Sequence, residues 1–385
     1  MLESVLHGGR RYGSWLLTLL ALTVLGWGSY LFQVMGGGES SGLSRDVPWG
    51  FFIANYTFLV GVAASAVMVV LPYYLHDQKE FGRITALGES LAVAAVATSI
   101  LFIFVDLGQP NRVMNMILHP TPNSPFFWNM IILPVYLALN LVIAWFTLDA
   151  ERNGLKPPSW VWPLILISIP WAVSIHTVTS LVYAGLVARP FWNSAVLTPR
   201  FLASAFASGP ALLLILCLVV RRFTGFDPGT RAIQKLGTIV TYAMIVNLFL
   251  VAIEIVVAVY GGITSHIDHF RYLYLGLDGH GALVPWMWIS TLLGFGAVIA
   301  LLFRRVRVND NYLALACAAV FVSIWIDKGL GMVVGGFVPS PLGKVTEYLP
   351  TAGELSISVG VYALGALILT LLYRITMSVK ADGRY

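Results

Sequence analysis

Charge is what this sequence has least of. Only 11% of its 385 residues are Asp, Glu, Lys or Arg, against 58% hydrophobic, whereas about a quarter of a soluble domain is charged. With a mean hydropathy of +0.82, this scarcity excludes a water-soluble globular enzyme. The formal net charge of +5 then reports membrane topology and does not point to nucleic acid. Cysteine is nearly absent: Cys217 and Cys317 both lie in mid-helix surroundings. That excludes a disulfide scaffold, a thiolate zinc site and an iron–sulfur cluster held by this chain. Histidine is also sparse. Six of the seven, His7, His76, His119, His266, His269 and His280, fall in termini or at loop edges. His176 therefore lacks a transmembrane partner for bis-His haem ligation, and no haem is expected.

Long apolar runs are what the sequence has in abundance. A helix needs about 20 apolar residues to cross the hydrocarbon core, and such runs fall near 14–35, 50–75, 84–106, 126–148, 160–187, 194–220, 236–260, 284–303, 312–330 and 354–377. The fold class is an all-α integral membrane protein of about ten spans, a single polytopic domain over 1–385. The first run follows Arg10 and Arg11 and is too long for a signal-peptide core, so it reads as a retained helix. Sixteen of the 23 Lys and Arg fall on the side of the N-terminus, from Arg10 and Arg11 through Arg221, Arg222, Arg304 and Arg305 to Lys380 and Arg384. On the other side lie Arg45, Arg112, Arg189, Arg200, Arg271, Lys328 and Lys344. This asymmetry predicts an even number of spans in the cytoplasmic (inner) membrane, with both termini cytoplasmic.

The outer connections, 36–50, 106–125, 188–200, 261–281 and 327–351, are long and rich in Gly, Pro, His and aromatics, as binding loops often are. Pro125-Phe126-Phe127-Trp128-Asn129 and Pro190-Phe191-Trp192-Asn193 echo each other at the openings of the fourth and sixth spans. Trp49, Trp128, Trp160, Trp162 and Trp192 near helix ends read as an aromatic belt.

Ionisable residues within spans are costly and so are functional candidates. His176 and Glu254 fall in the outer halves of spans five and seven, while Asp106, Asp327 and Glu354 lie at the outer ends of spans three, nine and ten. His176, Ser180 and Tyr183 at i, i+4 and i+7 share one stripe, which Thr179 extends. Such a stripe suits a quinone, which needs hydrogen-bond partners for two carbonyls, a proton-exchanging group and an apolar slot. Each candidate also has a plainer reading. His176 can bond a neighbouring helix, Glu254 can pair with an outer arginine such as Arg189, and Glu89, near the inner end of span three, can snorkel. If buried, Glu89 offers a proton path from the cytoplasm.

PWGFFIANYTFLVG (48–61), DLGQPNR (106–112), HPTPNSPFFWN (119–129), SIHTVTSLVYAGLVARPFWN (174–193) and TPRFLASAFASGPA (198–211) together resemble the NrfD/polysulfide-reductase (PsrC-like) membrane-subunit family. The likeness covers a core of about 48–305, with extra helices at about 14–35 and 312–377. WIDKGLGMVVGGFVPSPLG (325–343) and EYLPTAGELSISVG (347–360) extend it to the DsrP-type branch, found in the membrane Dsr complexes of dissimilatory sulfur metabolism. The resemblance implies a subunit without haem or cluster that exchanges electrons between menaquinone or ubiquinone and an outward-facing ferredoxin-like iron–sulfur subunit. It also implies a multihaem cytochrome c, a haem b membrane subunit and a cytoplasmic iron–sulfur subunit as partners. Asn55 and Tyr56 occupy the family's quinone-facing part of span two. The combined expectation is a pocket built by spans two, three, five and seven. There Asn55, Tyr56, Ser180, Tyr183 and Arg189 position the quinone, His176, Asp106 and Glu254 exchange protons, and Glu89 and Asp327 lie on a possible proton path. The alternatives are a proton- or sodium-coupled transporter, a passive anchor for a redox partner, and a polysulfide-reductase or alternative-complex-III subunit.

Overall fold

Each long apolar run folds as a helix, because a helix satisfies every backbone N–H and C=O internally where no water is available. The computed structural model describes residues 9–36 and 41–382; His7, Arg384 and 37–40 of the first outer connection lie outside them. Among the described residues ten helices are long and apolar enough to cross a membrane. They are Arg10–Met35, Phe51–Leu75, Thr85–Asp106, Pro125–Arg152, Val161–Ala184, Leu197–Thr224, Thr230–Gly261, Val284–Leu302, Asp310–Val334 and Ala352–Lys380, taken below as spans one to ten. Spans two to five pack as one group and spans six to nine as another, with span six and the end of span nine set against span two at the seam. Spans two, three, six and nine are the most enclosed.

Spans one and ten form an antiparallel pair on the flank, also touching span three. Gly26 and Gly360 meet backbone to backbone, the close approach that small residues permit in membranes. Ser29 and Ser356 hydrogen-bond at 2.8 Å, and the Trp15 indole donates to Thr370 at 3.2 Å. Ten crossings bring Arg10 and Lys380 to one face, termed terminal; the opposite face is distal. On the terminal face Arg221 pairs with Asp310, Lys235 with Glu80, and Lys380 with Glu151.

Three expectations about the distal face are corrected. The stretch from Asp327 does not leave the membrane as a loop: Trp325–Val334 continues span nine as a π-helix, and both Asp327 and Lys328 are buried. Their charges made the segment read as a connection, and a buried partner for each removes that objection. Within 261–281, Thr264–Tyr274 is an amphipathic helix. Pro190–Trp192 forms a short 3₁₀ turn before span six, which starts at Leu197.

Replacing Gly360 by Val should force spans one and ten apart, at a cost of about 1–3 kcal/mol by the usual penalty for overpacking. Thermal unfolding in detergent should show a lowered midpoint for Gly360→Val and a smaller change for Ser356→Ala. Equal midpoints for Gly360→Val and wild type would contradict the tight pairing.

Candidate functional site

Arg200 sits three residues into span six, yet the residue is only 6% exposed. A bare guanidinium there would be very costly, so the fold brings it two carboxylates. One terminal nitrogen pairs with Glu254 of span seven, and the other donates to both oxygens of Asp327 of span nine, at 2.7 and 2.8 Å. The planar fork of arginine suits this double pairing. Lys328, next in sequence to Asp327, lies over the Phe201 ring at 4.4 Å and reaches the Phe201 carbonyl at 3.4 Å. Gly61 of span two leaves the room, since a Cβ there would stand 3.2 Å from the ammonium. Glu254 therefore pairs with Arg200 and not with Arg189, whose guanidinium is engaged with the distal connections. The second oxygen of Glu254, Oε1, has no hydrogen-bond partner among the described residues.

A second polar group lies in the distal half of the other helix set. The Tyr56 hydroxyl accepts from Asn129 of span four at 2.7 Å and approaches Thr179 of span five at 3.4 Å. Thr179 donates to Asn129 at 3.2 Å, closing a ring of three side chains. Thr57 and Tyr183 hydrogen-bond beside it. His176 stands one turn from Thr179, about 12 Å by helical rise from the distal end of its span, and is fully buried. Neither of its ring nitrogens has a hydrogen-bond partner among the described residues. A buried imidazole without a partner lacks the bond that nearly every buried polar group makes.

The remaining predicted residues separate. Asn55 is a structural knot: its Nδ2 donates to the Phe51 carbonyl, and its Oδ1 accepts from Trp325 and Tyr362 at 2.9 and 2.8 Å. It joins spans two, nine and ten. Ser180 bonds Thr198 of span six at 2.6 Å, away from Tyr183. Arg189 clamps the distal connections, donating to the carbonyls of Phe337 and Asp46 and lying over the Phe337 ring. Asp106, at the distal end of span three, keeps Oδ1 buried without a hydrogen-bond partner among the described residues. Glu354 accepts from the Gly42 and Thr351 backbone and from the Tyr348 hydroxyl. Glu89 is buried toward the terminal side and lines a cavity of about 10 Å³ with Tyr136, Asn140 and Ser168, space for about one water. Glu254 thus separates from the single pocket expected of spans two, three, five and seven, because Arg200 holds it.

Trp49 and Trp192 do not join a membrane belt. Trp192 is fully buried, stacks on Trp49 at 6.0 Å and meets Tyr183 and Phe337 edge-on. Its indole donates to Met332 at 2.9 Å. The result is an aromatic roof over the Tyr183 end of the cluster. Trp128, Trp160 and Trp162 are exposed, as belt residues are. His269, from the amphipathic helix, is buried with Nδ1 near the carbonyls of Gly335 and Val338, at 3.0 and 2.8 Å. Burial holds it below its ordinary value of 6.5, against the two backbone hydrogen bonds that act the other way.

Sequence reasoning missed Arg200, Lys328, Asn129 and Thr57 as site residues. Arg200 carried a usable signal, since TPRFLASAFASGP places an arginine at the head of a small-residue helix. Asn129 carried little, because an asparagine next to a helix start reads as a cap. Among the described residues no group of three or more His, Cys, Asp and Glu is placed to hold a metal ion.

The family model described as "Polysulphide reductase, NrfD" matches residues 39–329. The chain is similar to a putative membrane subunit of dimethyl sulfoxide reductase from Halobacterium salinarum, 26% identical, over 92% of this chain and 88% of that one. It is 25% identical to an Hdr-like menaquinol oxidoreductase integral membrane subunit of Archaeoglobus fulgidus, over 63% of this chain and 60% of the relative. A menaquinone reductase integral membrane subunit of Nitratidesulfovibrio vulgaris is 22% identical, over 91% and 88% of the two chains.

Removing Arg200 strands two buried carboxylates. Arg200→Met should cost about 3–5 kcal/mol, read as lost membrane accumulation, and adding Glu254→Gln and Asp327→Asn should restore much of it. Full accumulation of the single variant would contradict the pairing. His269 gives a pH dependence of known sign. Its folded value lies below 6.5, so between the two values the unfolded chain binds the proton and the folded chain does not. The stability it supports is complete above pH 6.5 and declines as pH falls. The thermal midpoint should drop further on acidification in wild type than in His269→Gln; parallel curves would contradict this.

Proposed function

The chain belongs to the polysulphide reductase, NrfD family, and from that premise we propose that it is the quinone-interacting membrane subunit of a respiratory oxidoreductase. It exchanges electrons between menaquinol or ubiquinol in the bilayer and a ferredoxin-like iron–sulfur subunit docked on the distal face. The observation that carries the reading is His176, buried and unpartnered at both ring nitrogens among the described residues, beside the Tyr56–Asn129–Thr179 ring. A ligand oxygen supplies the bond that imidazole lacks, so the residues fit a quinone head. Menaquinone is favoured over ubiquinone by the names of the Archaeoglobus and Nitratidesulfovibrio relatives.

A quinol, when bound, supplies two electrons and two protons. His176 holds or passes a proton at a ring nitrogen. Tyr56, fixed by Asn129 and Thr179, orients the head, and Tyr183, fixed by Thr57, borders it. The Trp49–Trp192 roof keeps water from the cluster and stands between it and the distal connections, where the iron–sulfur partner docks. Of the acidic candidates, Glu254 and Asp106 each keep one oxygen without a hydrogen-bond partner among the described residues and can exchange protons there, whereas both oxygens of Asp327 are held by Arg200. Glu89 and its water-sized cavity offer a proton path from the terminal face, and the basic asymmetry supports a cytoplasmic side for that face. The resemblance of 325–343 and 347–360 to the DsrP-type branch supports a role in dissimilatory sulfur metabolism, with a multihaem cytochrome c, a haem b subunit and a cytoplasmic iron–sulfur subunit as proposed further partners.

The test is reduction of the iron–sulfur partner by a soluble menaquinol analogue in the purified complex. His176→Ala should slow it by roughly a hundredfold, the lower range for losing a positioned acid–base group, and Tyr56→Phe should slow it less. Unchanged rates in a fully assembled His176→Ala complex would make His176 a packing residue and move the quinone elsewhere.

A further inference from the structure

A large cavity lies outside the His176 cluster. Between spans seven and eight, under the amphipathic helix, a cleft of about 630 Å³ falls within the size range of small-molecule sites. Leu248, Val251 and Phe295 form its walls, and Trp288 lies near the end that meets the amphipathic helix. Its floor is polar. Asn247 and Asp327 line it, with Ser290 and Ser323.

The floor decides what fits. The two serines satisfy each other's carbonyls at 2.8 Å and need no ligand. Asn247 differs: it is 2% exposed and its Oδ1 has no hydrogen-bond partner among the described residues. It lies about 21 Å along its helix from the distal end, well below headgroup level. A phospholipid would put an acyl chain against this atom and leave it unsatisfied, because its own polar groups stay at the interface. A lipid that inserts a hydroxyl-bearing ring head first, with its apolar tail toward the bilayer, satisfies both the floor and the walls.

We propose that this cleft is a second lipid site, taking a molecule of the quinol class with its hydroxyl donating to Asn247. The choice of quinol among hydroxylated lipids rests on the function proposed above. The site borders the ion cluster, since Asp327 lines the cleft and holds Arg200.

Photolabelling of the purified complex with an azidoquinone, followed by peptide mass mapping, tests this. The expected labels fall on 248–255 and around Phe295, as well as near His176. Asn247→Leu should lower cleft labelling about tenfold, the equivalent of one lost hydrogen bond of about 1.4 kcal/mol, and leave labelling near His176 intact. Val251→Trp, which fills the cleft without touching its floor, should do the same. Labelling confined to the His176 region, unchanged cleft labelling in both variants, or cleft labelling that added phospholipid abolishes would each overturn the proposal. Cleft labelling without any near His176 would sustain the second site and contradict the first. Labelling at neither place would contradict both.

Discussion

A guanidinium buried in a helix bundle has to be neutralised where it lies, and the placing of Arg200 governs much of this molecule. Two carboxylates on different helices converge on it, which fixes spans six, seven and nine relative to one another. The same demand holds the π-helical end of span nine inside the bundle, and that in turn puts Lys328 against span two at Gly61. Breaking such a cluster is far more costly than its net contribution suggests, because the surviving charges stay buried. It therefore acts chiefly as a register device within the group of spans six to nine, and only Lys328 carries that register across to span two.

That register brings the two polar systems together. On one side of the seam, Tyr56, Asn129 and Thr179 bond one another and leave His176 without a partner among the described residues; on the other, the apolar cleft ends at Asn247 and Asp327. Lys328 and Arg200 lie between. Proton movement and charge compensation at either place would thus be felt at the other, through a low-dielectric interior where charge interactions are strong. The aromatic roof of Trp49, Trp192, Tyr183 and Phe337 closes the distal end of the first system and depends on the same stretch of chain, since Trp192 bonds Met332 in the continuation of span nine.

The ten helices were legible in the sequence because bilayer thickness imposes a length and a composition that soluble folds do not share. Family membership was legible too, through ordered motifs across spans two to six. What escaped was partnership. Arg200 and Lys328 read as residues of outer connections, because charge is the usual mark of a membrane edge and only the tertiary structure supplies their counter-ions. Glu254 and Asp327 were recognised as candidates, yet which cation they meet depends on helix rotation, which sequence spacing on one helix does not determine. Asn55 was singled out by position, but its oxygen is taken by Trp325 and Tyr362, which lie 270 and 307 residues away in the chain. Trp192 read as a belt residue, since nothing local distinguishes a tryptophan facing lipid from one facing the core.

What bonds the His176 ring nitrogens decides between a quinone site and a packing cluster. A cryo-electron microscopy map of the assembled complex with a tight-binding quinone analogue addresses it directly. Density for the analogue's head is expected within hydrogen-bond distance of a His176 ring nitrogen, with Tyr56 and Tyr183 against it. Analogue bound elsewhere, with His176 still enclosed by side chains alone, would contradict the assignment.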